Sequence, residues 1–251
     1  MNEEFYDIIA RYYDTMQDGI DHDMWAKMLN GFIQDFCKSE PQGEDGKRIV
    51  TDLGCGSGTI TIKLEQEHGY DCIGIDHSVL MLDEARNLAG EDSHILWLNQ
   101  DITKFELYGK CDVFISTTET INHITEEEDL RSILKTQTEY LATGGLFIFD
   151  VGTREHFENT LGNNVFFEDY DDFTLLWANE YDKDTRLSTS DMTLFYSEDG
   201  ENYNRADATV FERYYPEDYL ENLAREYGME KVARKEEGER VFLVFRREVL
   251  S

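Results

Sequence analysis

The stretch IVTDLGCGSGT, residues 49–59, runs from an apolar strand pattern through Asp52 into Gly54, Gly56 and Gly58, then into helix-compatible sequence. Alternate glycines let a backbone turn tightly and approach a ligand closely, and a helix start offers unpaired N–H groups. The turn is therefore a binding surface made of backbone, suited to a nucleoside-like cofactor. A dinucleotide turn spaces its glycines G-x-G-x-x-G so that pyrophosphate meets the helix N-terminus. Gly54-Cys55-Gly56-Ser57-Gly58 lacks that spacing. The Asp52 carboxylate would repel pyrophosphate but accept from an ammonium or orient the loop, so a positively charged cofactor fits better than NAD or FAD.

Residues 52–58, DLGCGSG, resemble motif I of the class I S-adenosylmethionine-dependent methyltransferases. The resemblance implies a Rossmann-like α/β fold of three layers, with a seven-stranded mixed sheet of order 3-2-1-4-5-7-6. It implies S-adenosylmethionine as cofactor, S-adenosylhomocysteine as product, and cofactor contacts from Asp52, Gly54, Cys55 and Gly56. Asp76, in GIDHS after the apolar residues 72–75, stands where the family places a carboxylate on the ribose hydroxyls, with His77 beside it. One ionised carboxylate suits two vicinal hydroxyls, because charge-assisted hydrogen bonds are the stronger ones. Asp101, after residues 95–98, stands where the family's acidic residue meets the adenine amino group, and Ile102 would pack on the ring. By residue type alone, Asp101 is equally a cap or loop carboxylate and Ile102 equally core.

The chain has 251 residues, 40% of them hydrophobic, enough for one elaborated domain. Lys and Arg total 23 against 54 Asp and Glu, a formal charge of −31, which repels phosphate backbones. The basic pairs Lys47-Arg48 and Arg246-Arg247 make no nucleic-acid groove, and a cationic or zwitterionic small acceptor is favoured. Cys37, Cys55, Cys72 and Cys111 form no C-x-x-C, which points to reduced thiols and the cytoplasm. Cys55 reads as a small side chain under the turn rather than a nucleophile. The acidic start MNEEFYDIIARYY lacks an export core, and no run reaches membrane-spanning length.

Phe5, Ile8, Ile9, Tyr12, Tyr13 and Met16 recur at helical spacing, as do Trp25, Met28, Leu29, Phe32, Ile33 and Phe36. Residues 1–46 thus read as a helical cap, with His22 and Asp23 in the loop between its helices. In related small-molecule methyltransferases N-terminal aromatics close over the cofactor, and Tyr6, Tyr12, Tyr13 and Trp25 are available here. Residues 47–153 alternate strands with helices at 59–68, 78–88 and 126–142, the first part of the core. Thr125 and Glu128 form a capping box for the last of these helices, and Gly144-Gly145 ends it before a strand at 146–149. Residues 154–216 change to aromatic-rich strands at 174–181, 187–196 and 208–214, an inserted antiparallel sheet placed to cover the acceptor. Residues 217–251 complete the core: Pro216 suits the first turn of a helix, and strands follow at 229–233 and 241–245.

In such an enzyme a nucleophile attacks the sulfonium methyl in line, so proximity and orientation supply most of the assistance. The segment TTETINHIT after the strand at 113–116 brings Glu119, Asn122 and His123 to the expected transfer zone. Glu119 can stabilise the cofactor's positive end or receive an amine, and His123 can orient or deprotonate an acceptor; helix capping and surface solvation explain the same residues. Arg154 can meet an acidic group on the acceptor, Asn122 can bind it, and Trp177 and Tyr214 can line its pocket, although strand alternation also places aromatics in cores. No spacing makes a metal site. The reading is methyl transfer to a small-molecule nitrogen or oxygen without a metal, by a monomer or homodimer. The alternatives are a noncatalytic cofactor-binding module, an RNA methyltransferase and a dinucleotide oxidoreductase.

Overall fold

A computed structural model describes residues 12–17, 19–197 and 200–248. The described residues begin with a short helix α1 (Tyr13–Met16) and α2 (His22–Phe36). It continues β1 (Ile49–Leu53), α3 (Thr59–His68), β2 (Asp71–Asp76), α4 (Val79–Ala89), β3 (Leu96–Asn99), β4 (Cys111–Ser116), α5 (Glu127–Tyr140) and β5 (Leu141–Gly152). Four antiparallel strands follow, β6 (Val165–Asp169), β7 (Phe173–Asp182), β8 (Leu187–Ser197) and β9 (Tyr203–Arg213). The chain then returns through α6 (Glu217–Glu226), β10 (Met229–Glu237) and β11 (Arg240–Arg247).

The main sheet has the order β10-β11-β5-β4-β1-β2-β3. With the last two strands counted sixth and seventh, this is the expected 3-2-1-4-5-7-6. β11 is antiparallel to β5, whereas β1, β2, β3, β4 and β5 run parallel. Apolar side chains leave both faces of this sheet, as a covered sheet requires. On one face Phe114, Phe147, Leu243 and Phe245 pack with Leu130, Ile133 and Leu134 of α5 and Leu220 and Leu223 of α6. On the other, Val113, Ile148, Phe242 and Val244 pack with Leu29 and Ile33 of α2 and Ile60 and Leu64 of α3. The second sheet, β6-β7-β8-β9, lays Phe173, Leu175, Leu194 and Ala208 against Tyr12, Tyr13, Met16 and Met81.

Several local expectations are corrected. His22 and Asp23 begin α2, because Asp21 accepts the Met24 N–H at 2.9 Å and caps the helix there. The Thr125 capping box does not form. Glu126 is the cap residue of α5 and makes no side-chain cap bond, while the Thr125 carbonyl is taken by Arg213 Nε of β9 at 2.5 Å. Gly144-Gly145 lies inside β5 rather than before it. The register with β4 shifts between Cys111–Leu141 and Val113–Leu146, and a Cβ on Gly145 would stand 2.5 Å from the Asp112 carbonyl oxygen. β6 and the single π-helical turn His156–Leu161 had no distinct sequence signal. The expected helical positions Phe5, Ile8 and Ile9, and Tyr6 among the expected cofactor-covering aromatics, lie outside the described residues.

Candidate active site

The turn after β1 is held by the end of β2. Gly56, at φ 54°, donates its N–H to one Asp76 carboxylate oxygen at 2.9 Å, and the Ser78 N–H reaches the other at 2.9 Å. Ser78 in turn caps α4, accepting from Met81 N–H at 3.2 Å. A Cβ on Gly56 would lie 3.3 Å from Tyr13 Cε1, so the bare backbone leaves room for that ring. Gly58 serves packing: at φ 78° it caps α3, and a Cβ there would lie 2.4 Å from Trp97 Cη2.

Asp52 lies beneath the turn, 2% exposed, and accepts from Thr61 Oγ1 at 2.6 Å. Burial pushes its carboxyl up to about 7, the Thr61 bond opposing and the nearby Asp76 charge adding. Cys55 is directed to the same underside, since a Cβ on Gly74 would meet its Sγ at 3.0 Å. Burial pushes this thiol well up, and it stays protonated at neutral pH.

Above the turn is a cavity of about 540 Å³, within the size range of small-molecule sites. It brings together Gly54, Gly56, Asp76, His77, Asp101, Ile102 and Tyr13, and His123 joins them. Val210 and Phe211 of β9 also line it. Burial pushes the Tyr13 phenol up to about 12, with a hydrogen bond to Thr118 opposing. Asp101 caps its own loop while bordering the cavity. Its Oδ1 accepts from the Thr103 N–H at 2.9 Å and hydroxyl at 2.7 Å, and its Oδ2 is 3.1 Å from Lys104 Nζ. Burial pushes this carboxyl up, but those bonds outweigh it and hold it below the usual range.

The remaining expected residues are elsewhere. Trp25 is 4% exposed in the core, edge-on to Phe242 at 4.8 Å, with the Arg240 guanidinium 5.3 Å from its ring centroid. Asn122 is a buried clasp: its amide donates to the Arg213 carbonyl of β9 at 2.8 Å and accepts the Gly152 N–H at 3.0 Å. Arg154 lies over Tyr214 at 5.7 Å, both lining a separate cavity of about 340 Å³. Trp177 stacks on Phe166 at 5.1 Å within the second sheet. None of these five lines the cavity above the glycine turn.

The loop after β4 is strained. Thr118 and Glu119, both with a Cβ, sit at φ 58° and 62°, a conformation that persists only when the surroundings impose it. Glu119 N–H donates to Asp150 at 3.1 Å, and its carboxylate is 3.1 Å from Arg240 Nη2 and 3.6 Å from His156 Nε2. Asp150, fully buried in β5, is pushed up to about 7 by burial, Arg240 opposing and Glu119 adding. His123 Nε2 stands 3.8 Å from Glu212 Oε1 of β9. Burial lowers the His123 pKa, with the Glu119 charge opposing, so the ring is neutral at pH 7. Sequence reasoning missed Asp150, Glu212 and Arg240. The signal was a charge in an apolar register, as in Ala206, Ala208, Val210 and then Glu212. Among the described residues no group of three His, Cys, Asp or Glu is placed to hold a metal, and no helix is long and apolar enough to cross a membrane.

Residues 50–145 match a family described as a methyltransferase domain. An S-adenosylmethionine-dependent methyltransferase from Clostridium acetobutylicum ATCC 824 has a similar structure, with a TM-score of 0.82 at 25% identity over 97% of this chain and 99% of that one. The chain thus has the class I S-adenosylmethionine-dependent methyltransferase fold, with an antiparallel sheet inserted in it, and its residues 50–145 are similar to a methyltransferase domain. It is also similar to "Putative methyltransferase YqeM" of Bacillus subtilis (strain 168), 26% identical over 228 residues, 90% of this chain and 86% of that one. A glycine/sarcosine N-methyltransferase of Halorhodospira halochloris is 30% identical over 157 residues, 59% of this chain and 53% of that one.

Proposed function

We propose that this protein transfers a methyl group from S-adenosylmethionine to a nitrogen or oxygen nucleophile of a small molecule, without a metal. The observation that carries the reading is the single cavity in which the glycine turn, Asp76 and Asp101 meet Tyr13, His123 and the inserted sheet. Asp76 supports the cofactor assignment: each oxygen takes one backbone N–H, leaving lone pairs for two ribose hydroxyls. The bound cofactor supplies an electrophilic methyl on a cationic sulfur. Gly54 and Gly56 hold its backbone-facing side, Asp101 and Ile102 its base, and Tyr13 covers it. Residues 1–46 act as a cap and residues 154–216 as an acceptor lid. Small-molecule transfer also agrees with the glycine/sarcosine N-methyltransferase relative and with the charge of −31. The setting is the cytoplasm, with the protein a monomer or homodimer.

Calorimetric titration of the protein and its Asp76→Ala variant with S-adenosylmethionine, S-adenosylhomocysteine and NAD tests the reading. Selective binding of the two adenosyl ligands, lost in the variant, supports it. NAD preference or no binding overturns it.

A further inference from the structure

The Thr118–Glu119 turn places two side chains in the left-handed region, so it has to be held by what surrounds it. Two buried groups do so. Asp150 takes the Glu119 N–H at 3.1 Å, and Arg240 brings Nη2 to 3.1 Å from the Glu119 carboxylate and Nε to 4.0 Å from Asp150. Gly152 gives that carboxylate its room, since a Cβ there would lie 2.7 Å from Glu119 Oε1. The register of β11 on β5 sets Arg240 directly opposite Gly152, and the Trp25 ring lies 5.3 Å from the guanidinium. Glu119 and Asp150 are 7% and 0% exposed. Without the guanidinium, two carboxylates shielded from water would lose the cation set between them, which is costly.

The residues on either side of Glu119 are the ones that reach the cavity. Thr118 and Thr120 line it, whereas Glu119 and Arg240 do not. Thr118 is hydrogen-bonded to the Tyr13 phenol. Thr120 packs on the glycine turn, where a Cβ on Gly54 would stand 2.4 Å from Thr120 Cγ2, and its hydroxyl donates to the Thr117 carbonyl at 2.8 Å. The carboxylate therefore anchors the loop away from the cavity, while its two neighbours form part of the cavity wall.

We infer that Arg240 is a positioning residue for the cofactor site, acting through Glu119 to keep the Thr118–Glu119 turn in the conformation that sets Thr118 on Tyr13 and Thr120 on Gly54. The inference rests on the methyl-transfer reading. Glu119 is on this account a strut: its carboxylate faces Arg240 and does not line the cavity that would hold the sulfonium. When the pair is broken, the turn relaxes toward ordinary backbone conformations. Affinity for an adenosyl ligand then falls with the fraction of molecules in which the cavity wall is in place. Neither residue needs to touch the ligand for this.

S-adenosylhomocysteine separates this role from a direct one, because it has no sulfonium charge for Glu119 to face. The protein, Arg240→Gln, Glu119→Gln, the double variant and Arg240→Lys are titrated calorimetrically with S-adenosylhomocysteine and with S-adenosylmethionine. Arg240→Gln and Glu119→Gln should each weaken both ligands by about tenfold. The double variant should lose no more than either, because the two residues act as one unit. Arg240→Lys, which keeps the charge without the guanidinium fork, should bind more tightly than Arg240→Gln. The Thr118 and Thr120 methyl resonances, followed by NMR, should shift alike in the two single Gln variants. Affinity within about twofold of wild type in either of these, additive losses in the double variant, or a loss confined to S-adenosylmethionine overturns the inference. So does a loss in Arg240→Gln that Glu119→Gln does not share, which would mark a direct contact between Arg240 and the ligand. If Arg240→Gln does not fold, Glu119→Gln and Arg240→Lys carry the comparison, and wild-type affinity in Glu119→Gln overturns the inference. Wild-type protein that binds neither adenosyl ligand overturns the methyl-transfer reading itself.

Discussion

The Asp76 carboxylate accepts the Gly56 N–H at 2.9 Å, so the end of β2 holds the turn that follows β1 and borders the cavity with the same side chain. Asp76→Asn keeps the size but loses the charge. Hydrogen bonds to a charged group are worth about 1.5–3 kcal/mol, and the variant should bind S-adenosylhomocysteine about 10- to 100-fold more weakly. Calorimetry measures this; unchanged affinity would show that Asp76 does not touch the ligand.

Gly58→Ala should destabilise the fold rather than the site. The added Cβ would stand 2.4 Å from the Trp97 ring at a φ of 78°, and overpacking costs about 1–3 kcal/mol with backbone strain in addition. Urea unfolding should show a lower midpoint with the slope unchanged. Gly56→Ala, facing Tyr13 Cε1 at 3.3 Å, should instead weaken ligand binding more than it lowers the midpoint. If both variants behave alike, the division of labour between these glycines is wrong.

Asn122→Ala should loosen the second sheet from the core. The side chain is fully buried and joins the Arg213 carbonyl to the Gly152 N–H. Its removal orphans two buried backbone groups, at about 1–3 kcal/mol each. Hydrogen exchange should show faster exchange at the Gly152 amide and along β9 than in β1 or β4. Uniform protection across both sheets would refute the clasp.

Stability should fall as pH rises from about 4 to 7. Asp52, Asp150 and Glu212 are raised by burial from ordinary carboxyl values to about 7. The folded state therefore holds protons in this window that the unfolded chain has released, and the associated stability, full below the unfolded values, is lost as pH passes the folded ones. Carboxylates held low by exposed partners, such as Asp207 beside Arg205, act oppositely and at lower pH. Urea midpoints of ligand-free protein should decline from pH 5.5 to 7.5, and Asp52→Asn should flatten that slope. A midpoint that rises over the window would contradict the burial of these groups.

Much of the core was legible because its signals are local. DLGCGSG sets a strand, a turn and a helix within a few residues, and apolar periodicity marks the crossover elements. Periodicity was weaker where distant parts of the chain compete for the same groups. Thr125 and Glu128 satisfy a capping pattern, yet Arg213 from β9 binds the Thr125 carbonyl and Glu126 becomes the cap. Trp25 has the composition of a cofactor-covering aromatic, but Phe242 of the last strand and Arg240 give it a core site.

By itself the sequence determined the glycine turn, the strand and helix alternation, the presence of an inserted antiparallel sheet and the charge of −31, because each depends on residue type and short spacing. Only the tertiary structure decided which charges face one another. Glu119 and His123 share the loop after β4, whereas Asp150, Glu212 and Arg240 lie on β5, β9 and β11. Their effect depends on burial and on distances of a few ångströms, which chain folding sets and linear spacing does not contain.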